Sequence, residues 1–117
     1  MEMSERELKM SELQKKYKFY RVGRNAVSKN GFISDLMVFG LECPPEWYEP
    51  LAKLGQKVEE GIKRGLLPKN IKASQVKEKF NELRVYYYPY HKLVERYIRE
   101  AEKEVAEIEK NSLRGKE

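Results

Sequence analysis

The segment from 44 to 68 constrains the fold more than any other. Trp47, Leu51, Leu54, Val58 and Ile62 recur every three or four residues, the apolar stripe of an amphipathic helix. Pro44-Pro45 breaks the chain before it, and Pro50 fits its first turn, where a missing N–H costs little. Gly65 is placed to cap its C-terminus and Pro68 prevents continuation. The spacing predicts a helix near 48–64 that must lay one face on a core. Trp47 leads that stripe and reads as core, with ligand stacking as the competing role.

A second helix of the same kind is expected near 91–111. Val94, Tyr97, Ile98, Ala101, Val105 and Ile108 share one face. Its opposite face mixes signs: Glu95 four before Arg99 supports the helix, whereas Glu100 four before Glu104 opposes it. The tail from Ser112 is expected to fray. At the other end, Ser4 followed by Glu7 has capping-box spacing, and Met10, Leu13 and Tyr17 fall at helical spacing. Residues 1–16 are read as a short helix or arm.

Between these lie two β-prone stretches. Asn30-Gly31 separates KYKFYRVGRNAVSK from FISDLMVFG, a type I′ hairpin signal. Strands are expected near 17–28 and 32–39, with Ser28 near Ile33 and Arg24 near Met37. Residues 71–88 are ambiguous in their first half, where Val76 and Phe80 are helically spaced. Leu83, Val85 and Tyr87 alternate clearly against Arg84, Tyr86 and Tyr88, so the second half is a strand. A second hairpin turning at Asn81-Glu82 and ending at Pro89 is the reading adopted. The sum is an α+β fold: an antiparallel sheet from two β-hairpins, two main amphipathic helices on one face, and a short N-terminal helix. At 117 residues this is one domain, 1–117.

Composition narrows function by exclusion. Charged residues make up 37% of the chain, above the roughly 25% of an average domain, so the surface is dense in charge. A single cysteine, Cys43, leaves no internal disulfide framework and suits a reducing compartment. A single histidine, His91, leaves no His-rich zinc site and no His-based triad with a visible partner. Cys43 reads as a small buried hydrophobe, His91 as a surface or capping residue, and the adjacent Glu59-Glu60 as solvated. There is no P-loop, GxGxxG or HExxH, no apolar run long enough to span a bilayer, and no apolar signal region at the N-terminus. The expectation is a non-enzyme without cofactor or metal, not bound to a membrane, with homo-oligomerisation left open.

The basic surplus, net +5, is uneven. Residues 1–40 hold eight basic and five acidic groups, and 71–90 hold four and two, whereas the other segments balance. No acid lies between Glu12 and Asp35, yet Lys15, Lys16, Lys18, Arg21, Arg24 and Lys29 do. Such a gap attracts phosphates or an acidic protein face; it also suits an edge strand guarded by lysine. Tyr17 and Tyr20 interleave with these cations. In the second hairpin Lys77, Lys79 and Arg84 crowd the turn, with Arg84 the best bidentate candidate, and Tyr86 and Tyr88 follow on its face. The candidate ligand-binding set is therefore Lys15, Lys16, Tyr17, Lys18, Tyr20, Arg21, Arg24, Lys77, Lys79, Arg84, Tyr86 and Tyr88. The partner expected is a nucleotide or nucleic acid; the competing reading is a protein–protein inhibitor anchored by the tyrosines.

MVFGLEC, Trp47 with the Leu51–Leu54 helix, QVKEKF-x-x-LRVYY and AEKEV...SLR together resemble a family of small tailed-phage and prophage proteins over about 36–114. That family reads roughly FGFEC-x-x-GW-x-x-L, QVKEKFGGLRFY and AE-x-x-S-x-RTCE. Gln75 to Phe80, Leu83, Arg84 and Tyr86 match its central motif. Asn81-Glu82 stands where the family has Gly-Gly, and Ser112-Leu113-Arg114-Gly115 stands where many members carry a short cysteine pair, so no metal role for that pair is expected. The resemblance implies a phage gene context, hence the bacterial cytoplasm during infection; in that context the inhibitor reading takes a bacterial host or defence factor as its target. The resemblance implies no reaction.

Overall fold

A computed structural model describes residues 4–21 and 41–115, with side chains to 112. Helix α1 runs Glu5–Lys16, and the Glu7 N–H donates to Ser4 Oγ at 3.1 Å, so the predicted N-cap is made. Met10, Leu13 and Tyr17 are buried, as their spacing requires. Helix α2 runs Tyr48–Lys63 after a 3-10 turn at Pro45–Trp47. It ends as predicted: Gly65 has φ +76, the Gly65 N–H donates to the Ile62 carbonyl and the Leu66 N–H to the Gly61 carbonyl. That pair of bonds satisfies the last carbonyls through a left-handed residue that only glycine adopts cheaply.

The second hairpin is present as strands β1 (Lys72–Lys79) and β2 (Glu82–Tyr88), antiparallel. The turn lies one residue earlier than expected. Glu82 pairs with Lys79, and the loop is Phe80–Asn81, both with positive φ (54° and 64°). This is the type I′ geometry whose twist matches the strands. A bulge at Ser74–Gln75 separates the Ala73–Tyr87 pair from the Gln75–Tyr86 pair. It lets Ala73 and Val76, three residues apart, both face inward. On the other edge of β1, Glu42 forms a parallel bridge to Lys77: its N–H donates to the Val76 carbonyl and its carbonyl accepts from the Glu78 N–H. Helix α3 then runs Lys92–Gly115, longer than expected.

The α+β class stands: the described residues form three α-helices and one two-stranded sheet. The first hairpin needs correction where it is described. Tyr17 is not in a strand, and Lys18–Tyr20 form a 3-10 turn. A strand would send Tyr17 and Tyr20 to opposite faces, whereas both are buried, and the Tyr20 hydroxyl donates to the Leu51 carbonyl at 2.6 Å. Burying all of Tyr17, Phe19 and Tyr20 outweighs their β propensity. The remainder of the expected strands, near 22–28 and 32–39, lies outside the described residues.

Helix α2 packs on α3, α1 and the 3-10 turn; β2 packs on α3 and β1 on that turn. Trp47, Leu51, Leu54, Val58, Val94, Ala101 and Val105 join Phe19, Tyr20, Val76 and Leu83 in one buried cluster. The Trp47 indole N–H donates to Glu109 at 2.8 Å, so the buried ring keeps its polar edge satisfied. Glu100 and Glu104, which repel each other along α3, pair with Lys57 and Lys53 of α2.

Candidate binding face

The geometry follows from the strand register. Pairing sets Lys72 opposite Tyr88, Gln75 opposite Tyr86, Lys77 opposite Arg84 and Lys79 opposite Glu82. Ala73, Val76 and Leu83 occupy the alternate, inward positions and are buried, so these four pairs share the outer face. Tyr86 and Tyr88 are 50% and 75% exposed there, and Phe80 at the turn is 81% exposed. Aromatic rings this open leave much of their apolar surface in water. Four cations, Lys72, Lys77, Lys79 and Arg84, occupy outer positions, with the acids Glu82 beside Arg84 and Glu42 beside Lys77.

Arg84 is partly engaged. Its guanidinium pairs with Glu82 at 2.9 Å and, with Asn81, Leu83, Glu102, Val105 and Ala106, lines a cleft of about 370 Å³ against α3. Partial burial raises the Glu102 carboxyl above its ordinary value, while the positive charge of Arg84 pulls it the other way. The turn below is closed by the Glu78 carboxylate, which accepts the Asn81 N–H at 2.7 Å.

The sequence-predicted residues thus divide. Lys77, Lys79, Arg84, Tyr86 and Tyr88 come together on one face. Tyr17 and Tyr20 do not: they are 7% and 0% exposed, and their rings meet edge to face inside the core. They are corrected from ligand contacts to core residues. Arg21 bends back on α1, its Nε donating to the Gln14 carbonyl at 3.1 Å and its Nη2 to the Lys15 carbonyl. It closes a helix C-terminus, where a cation is favoured. Lys15, Lys16 and Lys18 are exposed near the end of α1, but the stretch free of acid in sequence meets acid in space. The Lys18 N–H donates to Glu59, and Lys16 shares a depression with Glu59 and Glu60. Arg24 lies outside the described residues. Lys72 and Phe80 were missed by sequence reasoning; the register and the bulge place the first, and the turn the second.

The nucleophile and base candidates have structural roles. Cys43 is buried, and its thiol is pushed up to about 12, chiefly by burial. His91 Nδ1 accepts the Leu93 N–H at 3.1 Å, capping α3, and the Tyr87 hydroxyl bonds the His91 backbone. Among the described residues no group of His, Cys, Asp and Glu could hold a metal ion, and no helix is long and apolar enough to cross a membrane. No family model, curated protein or solved structure matches the chain.

Proposed function

We propose that this chain is a non-enzymatic binding protein that takes an anionic partner, a nucleic acid or nucleotide-like signal, on the outer face of the β1–β2 hairpin. The observation that carries this reading is Lys77 directly opposite Arg84. Like charges at paired strand positions destabilise a sheet; Glu82 pairs with Arg84 and Glu42 stands beside Lys77, which leaves the face with four cations to two acids. A bound phosphate offsets the rest. Tyr86 and Tyr88, two and four residues from Arg84 on the same face, supply π surfaces of the kind bases stack on. On this reading the protein is a phage accessory factor acting in the bacterial cytoplasm, in keeping with the sequence resemblance over about 36–114.

The test is binding of a labelled single-stranded oligonucleotide and of mixed nucleotides, measured across a salt series. Phosphate-dominated binding weakens steeply with log salt, whereas an aromatic-anchored protein interface changes less. Lys77→Glu puts opposite charges across the strands, so the fold is retained while binding drops. Undiminished binding by that variant, or no binding of any nucleotide by the wild type, rejects the reading in favour of a protein target.

A further inference from the structure

The hairpin tip carries two local features that the fold alone does not account for. Phe80 occupies the left-handed region at φ +54. Type I′ loops favour Asn, Asp and Gly at both central positions, and a bulky residue there is an outlier. Asn81, its neighbour, is what the turn prefers. Phe80 is also 81% exposed, so its ring recovers nothing from burial. A strained, solvated phenyl ring is the kind of departure that collects at functional positions.

The surroundings say what it meets. The turn is held by Glu78 on the Asn81 N–H, so the ring is presented from a fixed loop. Lys79 Nζ stands 5.8 Å from the ring centroid, a cation beside the aromatic face. The row of Tyr88, Tyr86 and Arg84 runs down β2 toward this tip. Seven residues of strand extend about 20 Å, more than one nucleotide covers. Open rings on such a strip stack only on bases free of a duplex partner.

We infer that Phe80 is the terminal stacking platform for a base of single-stranded nucleic acid, with Lys79 meeting the adjoining phosphate. This rests on the hairpin-face reading above and extends it to the turn.

The probe is fluorescein-labelled oligothymidylate titrated with wild type, Phe80→Asn, Phe80→Tyr and the Tyr86→Ala/Tyr88→Ala double variant, alongside thermal melts. Phe80→Asn gives the loop the residue type it favours, so its melting temperature is expected to rise. Its affinity is expected to fall about tenfold, the loss of one stacked base. Phe80→Tyr keeps the ring and is expected to keep the affinity. Wild-type affinity in Phe80→Asn, with binding lost in the double variant, overturns the inference and leaves the face reading intact. Equal loss in Phe80→Asn and Phe80→Tyr also overturns it, because the ring is then not the determinant. No oligothymidylate binding by the wild type at low salt overturns the inference; the face reading falls with it only if mixed nucleotides also fail to bind.

Discussion

A β-carbon on Gly55 would stand 2.7 Å from Cγ of Tyr17 and 2.9 Å from its Cβ. Real Cβ atoms do not approach so closely, and the atoms in the way are the root of the tyrosine side chain, not a flexible end. The ring of Tyr17 therefore seats on bare backbone of α2. Alanine is worth about 1 kcal/mol over glycine in a helix interior, but here overpacking costs about 1–3 kcal/mol. Gly55→Ala is expected to lower stability on balance, read from denaturant midpoints. A gain in stability would show that α1 can shift off α2 freely.

Trp47→Ala is expected to cost about 3–5 kcal/mol, since the ring is fully buried. Glu109→Ala should cost about 1–3 kcal/mol by stranding the indole N–H. A loss below about 1 kcal/mol for Trp47→Ala would place the ring outside the core.

Arg21→Glu removes the two bonds to the end of α1 and puts a negative charge beside its negative dipole. About 1–2 kcal/mol of stability should be lost, and helicity with it, by melts and circular dichroism. Lys18→Ala, exposed and adding no negative charge beside Glu59 or the helix end, should change stability by less than about 0.5 kcal/mol.

Cys43 makes stability fall at high pH. Its folded pKa is raised to about 12 from an ordinary 9.0. Above pH 9 the unfolded chain releases the proton while the folded chain keeps it, so stability declines until the folded thiol ionises. The slope reaches about 1.4 kcal/mol per pH unit. Tyr20, raised well above its ordinary value mainly by burial, adds in the same direction. Comparing melts at about pH 8 and about pH 11, Cys43→Ala should show a smaller drop than wild type. The native thiol should likewise resist alkylation until the chain unfolds.

The helices were legible because their signals are local: a cap at Ser4, stripes led by Trp47 and Val94, a stop at Gly65. The start of the hairpin was ambiguous for a definite reason. Val76 and Phe80 are spaced as on one helix face, yet only Val76 faces the core; Phe80 sits in the turn, exposed, so its apolar character carries no information about burial. The N-terminal basic segment misled because charge was counted along the chain, and Glu59 and Glu60 reach it only through the fold. Tyr17 and Tyr20 looked like surface aromatics for the same reason: their burial depends on Gly55 and Leu51 of another helix.

The paired lysines of α2 and glutamates of α3 work as a two-tooth vernier. Each helix alone carries like charges one turn apart, a weak penalty in isolation. Docked antiparallel, Lys53 meets Glu104 and Lys57 meets Glu100. Sliding one helix by a turn keeps at most one of these contacts and leaves one cation and one anion unmatched. The energy of each exposed pair is small, about 0–1 kcal/mol, yet the pattern rewards a single alignment. The hydrophobic stripes bring the two helices together with some tolerance along their axes, and the charges select where they stop.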